Sequence, residues 1–190
     1  MLISFSGAQS TGKSTLLNYL RNKDIGNYMP ITFIPEITRL VKRKYDLPIN
    51  EEGTDLTQLL IANEHLVNCM LKDYQNNVTI LDRCIVDGLI YTNWLYDNNL
   101  ITKRTAQSVR YIYELTYDKY DIIFYTSPKD IPLEDDKERS TNIKFRDDII
   151  EAFEYQIKLL KNVVILEGTV QQRLNIIKET LAKHNINITI

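Results

Sequence analysis

The chain has 190 residues, with 23 basic and 25 acidic side chains and a formal net charge of -2 at pH 7. A domain usually takes roughly 100–200 residues, so this length predicts one domain over residues 1–190. The near-neutral balance, with a pI near 5.8, argues against an extended nucleic-acid footprint or a membrane surface and favours small-molecule partners.

Cysteine usage and hydropathy bear on the compartment. Cys69 and Cys84 are the two cysteines, and without a CxxC or Cys/His cluster they predict neither a disulfide framework nor a zinc site. No stretch approaches the roughly 18 apolar residues of a membrane span, and no signal peptide is recognisable. We therefore expect a cytoplasmic protein, in the host cytoplasm if the Asn-, Ile-, Lys- and Tyr-rich composition reflects a viral genome.

The first predicted element is a short apolar strand that leads into a glycine-rich motif. Residues 2–5 are typical of a buried strand, residues 7–14 read GAQSTGKS, and residues 15–20 predict the first turns of a helix. GAQSTGKS is a complete GxxxxGK[ST] phosphate-binding loop in the strand–loop–helix context that such a loop requires. The motif predicts a nucleotide and Mg²⁺ as ligands, and the preference for ATP over GTP stays open at this point.

Each part of this loop has a predicted task at a nucleotide's phosphates. Gly7 and Gly12 allow the backbone to approach closely, and backbone N–H groups with the helix N-terminus supply converging donors. Lys13 reaches the β- and γ-phosphates, and the Ser14 hydroxyl is a predicted Mg²⁺ ligand. The predicted nucleotide-binding residues of the loop are Gly7, Ala8, Gln9, Ser10, Thr11, Gly12, Lys13, Ser14 and Thr15.

Four further apolar runs alternate with longer helical patterns, which predicts βαβ units around a parallel sheet. The strands are expected at residues 31–34, 78–81, 122–125 and 163–166, and the helices at about 54–74, 85–97, 104–118, 145–161 and from 170. In the first of these helices, helical spacing predicts a core-facing side made of Leu56, Leu60, Val67, Leu71 and Tyr74. The predicted fold class is α/β, a P-loop NTPase fold whose five-stranded parallel sheet has helices on both faces. A charged, Pro-containing segment at about 128–140 is predicted to be a short lid.

Polar residues collect where the predicted strands end, which is where a doubly wound sheet has its ligand crevice. Glu36 follows the second strand with Arg39 one helical turn further on, and Asp82 and Arg83 follow the third with Asp87 beyond them. Phosphoryl transfer requires carboxylates for Mg²⁺ and for the acceptor hydroxyl, and arginines for the transferring charge.

The carboxylates and arginines at the strand ends have predicted roles. Asp82 holds Mg²⁺ together with Ser14, Glu36 takes or orients the acceptor proton, and Arg83 stabilises the transferring group. Purely structural interpretations stay open: Asp82 as a helix cap, Glu36 as an ion-pair partner of Arg39. The predicted substrate-binding residues are Glu36, Arg39, Arg83, Asp87 and Trp94, the last by stacking on a base.

Several segments together carry a family resemblance. They are the phosphate loop, Pro35 to Arg39, Leu81 to Arg83 with Asp87, the DIPLEDDKER segment at residues 130–139, and LEGTVQQR at residues 166–173. With these segments the chain resembles, almost end to end, the ribosylnicotinamide kinase domain of the NAD-salvage regulator NadR. More broadly, it is similar to the small AAA-type P-loop kinases.

This resemblance implies an ATP-dependent transferase that phosphorylates a nucleoside-type hydroxyl, with nicotinamide riboside as the favoured acceptor. It implies that Arg139 of the lid contacts the ATP phosphates and that Gly168 and Thr169 lie near adenine. The predicted catalytic set is then Lys13, Glu36, Asp82, Arg83 and Arg139.

Other acceptors and another class of protein stay open at this point. Related kinases act on nucleosides, nucleotides or modified bases in DNA, and a regulatory ATPase or NTP switch would share the phosphate loop. The expected partner is a small nucleoside-type molecule, modified DNA is not ruled out, and a homo-oligomer is an open alternative.

Overall fold

A computed structural model describes residues 1–23, 25–26, 30–128 and 143–188. Its strands are β1 (Leu2–Ser6), β2 (Ile25–Gly26), β3 (Ile31–Ile34), β4 (Val78–Asp82), β5 (Ile122–Thr126), β6 (Val163–Leu166) and β7 (Asn187–Ile188). Five of them form a parallel sheet in the order β3-β4-β1-β5-β6. This sheet confirms the predicted α/β class and all five predicted strands.

The register of the sheet brings the strand ends together. Phe5 of β1 pairs with Asp82 of β4, and Ser6 of β1 pairs with Tyr125 of β5. Every residue of β1, β4 and β5 is buried, as expected for central strands covered on both faces. The turns that follow β1, β3, β4 and β5 therefore share one edge of the sheet.

Seven α-helices accompany the strands in the described part of the chain. They are α1 (Lys13–Arg21), α2 (Ile37–Tyr45), α3 (Asp55–Leu71), α4 (Ile85–Asp97), α5 (Lys103–Thr116), α6 (Ile143–Gln156) and α7 (Val170–Ala182). Side chains of α1 and α7, such as Leu17 and Ile177, pack into one apolar cluster with the sheet. Side chains of α4, α5 and α6, such as Val86, Val109 and Phe153, pack into a second cluster. The helices thus cover both faces, and the P-loop NTPase fold is confirmed.

The predicted core-facing side of α3 is wrong. Leu56 is 54% exposed and Val67 is 44% exposed, while Leu71 and Tyr74 are also exposed, and only Leu60 packs against an apolar cluster. The helix ends at Leu71, so Tyr74 lies in a following 3₁₀ turn. The buried side of α3 carries Thr57, Gln58, Ile61, Ala62, His65 and Cys69. Half of these residues are polar, and Gln58 and His65 line a cavity beside the sheet edge, so hydrophobic spacing identified another side of the same helix.

Three further features complete the fold. The antiparallel pair of β2 and β7 was not predicted, since two-residue strands carry almost no sequence pattern. Among the described residues, no helix is both long enough and apolar enough to cross a membrane. The predicted lid lies outside the described residues except for Pro128.

Candidate functional site

The GAQSTGKS loop connects β1 to α1 and depends on both of its glycines. Gly7 has φ +138°, and a Cβ there would lie 2.7 Å from Thr126 Oγ1 and 2.9 Å from the Thr126 carbonyl oxygen of β5. Gly12 has φ 84° where α1 begins, a conformation that side chains rarely adopt. The loop is therefore packed directly on the end of β5, and Lys13 and Ser14 start the helix.

Lys13 is folded against its own loop. Its Nζ donates to the carbonyl oxygens of Gly7, at 2.8 Å, and Ala8, at 2.6 Å, and to Thr11 Oγ1 at 3.2 Å. Burial, with the charge of Arg83 in addition, lowers the pKa of Lys13 to about 7. A bound phosphate would add negative charge beside Lys13 and favour its protonated form.

A chain of ion pairs joins the ends of β3 and β4 to the loop. Glu36 accepts from Arg39 Nε at 2.9 Å and from Arg83 Nε at 2.7 Å, and Arg83 Nη1 donates to Asp87 at 3.2 Å. The same Nη1 donates to the Gly7 carbonyl oxygen at 3.1 Å. The structure thus brings together four of the predicted residues, Glu36, Arg39, Arg83 and Asp87, beside the phosphate loop.

The two carboxylates at this edge have opposite pKa shifts. Burial favours the neutral form of Glu36, but the charge and hydrogen bond of Arg83, with the charges of Arg39 and Lys13, lower its pKa overall. Burial and the neighbouring Glu36 raise the pKa of Asp82 to about 6 against the opposing charges of Lys13 and Arg83. Asp82 Oδ1 is buried and has no hydrogen-bond partner among the described residues.

This unpartnered oxygen fits the predicted Mg²⁺. A cation next to Asp82 would compensate its buried charge, and Ser14 at the start of α1 lines the adjacent cavity. The described residues contain no group of three or more His, Cys, Asp or Glu side chains that could hold a metal ion alone. Mg²⁺ does not need such a group, because it is commonly held by one or two protein oxygens together with substrate phosphates and water.

Asp87 has its carboxylate occupied by the protein. Ser6 Oγ donates to Oδ2 at 2.6 Å and the Cys84 amide donates to Oδ2 at 3.1 Å, which makes Asp87 part of the capping box of α4. Gly7 N donates to Oδ1 at 3.3 Å, beside the bond from Arg83. Asp87 therefore fixes the loop and Arg83, and its predicted contact with substrate stays a prediction.

Two cavities meet at Arg83 and Asn50, which line both. The loop cavity, about 400 Å³, is bordered by Gln9, Lys13, Ser14, Glu36 and Arg39. The inner cavity, about 370 Å³ including its mouth, lies between α3 and α4 and is bordered by Gln58, Ile61, His65, Asp87, Gly88 and Tyr91.

The inner cavity contains a neutral histidine that the sequence pattern did not single out. His65 is 1% exposed, and its Nδ1 has no hydrogen-bond partner among the described residues. Burial lowers the pKa of His65 to about 4, so the imidazole is uncharged at neutral pH. Its position behind Arg83 depends on the packing of α3 on α4, which no local pattern specifies.

The remaining predicted residues lie elsewhere. Trp94 Nε1 donates to Asp148 at 2.9 Å, and its ring packs on Phe145 in a separate groove between α4, α5 and α6. Trp94 borders neither the loop cavity nor the inner cavity, so the structure does not place it for the predicted base stacking. Arg139 lies outside the described residues.

Arg173 joins the predicted adenine turn to the phosphate loop. Gly168 has φ +81° and Thr169 caps α7, and the Arg173 guanidinium, 2% exposed, donates to three carbonyl oxygens. These oxygens belong to Gly168 at 2.9 Å, Thr11 at 2.9 Å and Ser127 at 3.0 Å. The GTVQQR segment was recognised in the sequence, but the contacts of its arginine with two distant loops were not predictable.

The fold, the loop and the two cavities define a P-loop NTPase domain with a second cavity beside its phosphate loop. A family model described as an AAA domain matches residues 2–173, and the chain belongs to this family. A search of curated protein sequences returned no significant match.

NadR and a deoxyadenosine kinase are among the solved proteins that share the fold. NadR, solved in complex with NAD and AMP-PNP and also with NR, superposes with a TM-score of 0.70 at 16% identity over 100% of this chain. The chain spans 51% of the NadR chain, about half its length. Deoxyadenosine kinase from M. mycoides, solved with bound dATP among other ligands, superposes with a TM-score of 0.68 at 14% identity, over 96% of this chain and 100% of the kinase.

Proposed function

We propose that the protein is an ATP-dependent kinase that transfers the γ-phosphoryl group to a hydroxyl of a nucleoside-type small molecule. The observation that carries this proposal is the meeting of the loop cavity with the inner cavity at Arg83, beside Glu36. A kinase needs a nucleotide site and an acceptor site that share one point of transfer. Two structural neighbours support the same assignment: NadR was solved with AMP-PNP, and the other neighbour is a deoxyadenosine kinase.

On the ATP side, the loop residues bind and orient the phosphates. Lys13 leaves the carbonyl oxygens of Gly7 and Ala8 and pairs with the β- and γ-phosphates. Ser14 and Asp82 hold Mg²⁺, which neutralises charge on the phosphates when bound. Arg139 belongs to this proposal only through the family resemblance.

On the acceptor side, the inner cavity offers neutral hydrogen-bonding groups. Gln58, Asn50 and the uncharged His65 border it, next to the apolar Ile61 and the bare helix backbone at Gly88. Arg83 also borders this cavity, but its guanidinium already pairs with Glu36 and Asp87, so the lining suits a flat heterocyclic ring better than a phosphate. Nicotinamide riboside is the first acceptor that we propose, and deoxyadenosine is the second.

Glu36 acts at the hydroxyl that attacks. Both of its oxygens accept from arginines, and its lowered pKa keeps it ionised, so it is a weak base that orients the hydroxyl and takes the proton late in the transfer. Such a late transfer suits phosphoryl transfer, because its loose transition state develops little nucleophilic bonding. Arg83, held by Glu36 and Asp87, is placed to stabilise the moving charge.

The test is a transfer assay with γ-labelled ATP against nicotinamide riboside, deoxynucleosides, nucleoside monophosphates and DNA with modified pyrimidines. We expect label on a free nucleoside with the wild type and none with Lys13→Ala. Label found only on monophosphates or only on DNA would show that the acceptor is of that class and not a free nucleoside. Labelled inorganic phosphate with no labelled acceptor would favour a regulatory ATPase.

A further inference from the structure

Gln9 of the phosphate loop has a buried amide nitrogen with nothing to bind. The residue is 5% exposed, and its Nε2 has no hydrogen-bond partner among the described residues. A buried donor without a partner destabilises the folded protein, so a ligand that accepts from it gains affinity. The side chain borders the loop cavity together with Lys13 and Ser14.

The orientation of this amide is fixed by two neighbours. Tyr91 of α4 donates its hydroxyl proton to Gln9 Oε1 at 3.0 Å. Arg83 Nη1, which can only donate, lies 3.5 Å from the same hydroxyl oxygen and stands over the Tyr91 ring at 5.4 Å from its centre. Because Arg83 offers no acceptor, the tyrosine proton is directed to Gln9 Oε1, and Gln9 Nε2 is turned away from Tyr91.

The position of Gln9 is between the two cavities. Gln9 borders the loop cavity, while its partner Tyr91 borders the inner cavity, and Arg83 borders both. An oxygen that arrives at this junction would satisfy the unpaired donor. Under the proposed function, the group that crosses the junction is the γ-phosphoryl group.

We propose that Gln9 is a catalytic residue whose Nε2 donates a hydrogen bond to a non-bridging oxygen of the transferring phosphoryl group, and that Tyr91 is its positioning residue. This inference rests on the proposed function for the reaction in which it acts. A neutral donor adds no positive charge to a cavity that already contains Lys13, Arg39 and Arg83.

The transfer step is balanced without any change in Gln9. The acceptor oxygen forms a bond to the γ-phosphorus, and the bond from this phosphorus to the β–γ bridging oxygen breaks, with the electron pair leaving on ADP. The acceptor proton passes to Glu36 and then to water. Gln9 keeps both of its amide protons and contributes a hydrogen bond that strengthens as charge spreads over the phosphoryl oxygens.

The test compares binding of a transferring-group analogue with binding of a ground-state analogue. Calorimetry measures the affinities of ADP–aluminium fluoride and of AMP-PNP, each with Mg²⁺, and needs no acceptor. We expect Gln9→Met to weaken the aluminium fluoride complex about 10- to 100-fold and to change AMP-PNP affinity less than about threefold. Gln9→Glu should weaken the aluminium fluoride complex further, because a carboxylate oxygen replaces the donor.

Two variants serve as checks. Tyr91→Phe keeps the Gln9 amide but removes the hydroxyl that orients it. This variant should lose an intermediate amount of affinity for ADP–aluminium fluoride and none for AMP-PNP. Gln156→Met is the matched control, because Gln156 Nε2 donates to Tyr113 at 2.8 Å in a Gln–Tyr pair outside both cavities. This control should bind both analogues like the wild type.

The inference would be overturned if Gln9→Met lost affinity equally for both analogues. It would also be overturned if folded Gln9→Met and Tyr91→Phe both kept the wild-type affinity for ADP–aluminium fluoride. Failure of the proposed function has a different signature. In that case the wild type transfers label to no acceptor, whether or not the analogue affinities depend on Gln9.

Discussion

At the residue scale, the site contains two buried carboxylates, Glu36 and Asp82, whose pKa values shift in opposite directions. Glu36 accepts from two guanidinium groups and stays ionised, whereas Asp82 has an oxygen without a partner among the described residues and a pKa raised to about 6. A protein that has to bind a cation at Asp82 accepts this cost in its nucleotide-free state. Under the proposed function, the charge that Mg²⁺ needs at Asp82 destabilises the nucleotide-free fold.

Asp82→Asn should lower turnover at least about tenfold, because it removes a negative charge from the predicted Mg²⁺ site. The same variant should be more stable than the wild type without nucleotide at pH 7.5. The folded-state pKa lies above the ordinary 3.8, so Asp82 favours folding below pH 3.8 and loses this contribution as pH rises through about 6. Ionised Asp82 then costs up to roughly 3 kcal/mol. Urea unfolding at pH 7.5 and pH 5 measures the gain in the free energy of unfolding, which should be smaller at pH 5. An Asp82→Asn variant that is less stable than the wild type at pH 7.5 would contradict the cation-site role.

His65→Gln should remove one source of acid destabilisation. The pKa of His65 is about 4 when folded and 6.5 ordinarily, so the unfolded chain binds the proton first and stability falls as pH drops from 6.5 towards 4. Between pH 7.5 and 4.5 the wild type should lose about 2–3 kcal/mol relative to the variant. Urea unfolding at both pH values gives this double difference. A difference that does not change with pH would mean that the imidazole is accessible to protons in the folded state.

At the element scale, six of the seven described helices were predicted, without α2 and with the end of α6 five residues too late, and the buried faces were only partly predicted. Runs such as residues 78–81, and the Gly/Lys/Ser chemistry of the loop, act locally and gave β4 and the start of α1 nearly to the residue. The buried side of α3 was missed because it mixes apolar residues with the polar Thr57, Gln58 and His65, two of which line the inner cavity. The strand-end rule identified Glu36 and Arg83, but their ion pair and the Tyr91–Gln9 bond depend on how α2, α4 and the loop pack together.

Gly88→Ala, in α4, should separate folding from acceptor binding. A Cβ at Gly88 would lie 3.8 Å from Ile85 Cδ1 and 3.9 Å from His65 Cδ2, which is ordinary contact, so the fold can accept alanine. Alanine should raise stability by up to about 1 kcal/mol through helix propensity. Its methyl group narrows the inner cavity, so the acceptor KM should rise with the ATP KM unchanged. An unaltered acceptor KM, with the expected gain in melting temperature, would remove Gly88 from the acceptor site.

Arg173→Met, in α7, should weaken the assembly of the loops. It leaves the carbonyl oxygens of Gly168, Thr11 and Ser127 without their buried donor, at a cost of at least about 2 kcal/mol. AMP-PNP affinity should fall as well, because Thr11 belongs to the phosphate loop. The exposed Gln171→Met on the same helix is the control and should stay within about 0.5 kcal/mol of the wild type. Urea unfolding and calorimetry measure both effects, and a stability loss with full AMP-PNP affinity would limit Arg173 to a structural role.

At the scale of the whole molecule, strand order and register place the chemistry. With β1 between β4 and β5, the phosphate loop lies next to Asp82 and Arg83 on one side and Thr126 on the other. β3, outside β4, delivers Glu36 to the same edge, and α3 closes the inner cavity against α4. Residues far apart in sequence thus form two cavities that share Arg83 and Asn50.

The most direct measurement of phosphoryl transfer is a product balance in one reaction. ADP, inorganic phosphate and phosphorylated nucleoside are quantified together, with γ-labelled ATP, Mg²⁺ and the acceptor identified by the screen. A kinase should give ADP and phosphorylated nucleoside in a 1:1 ratio with little free phosphate, and Lys13→Ala should abolish both products. ADP matched by inorganic phosphate, with no labelled nucleoside, would contradict the kinase assignment.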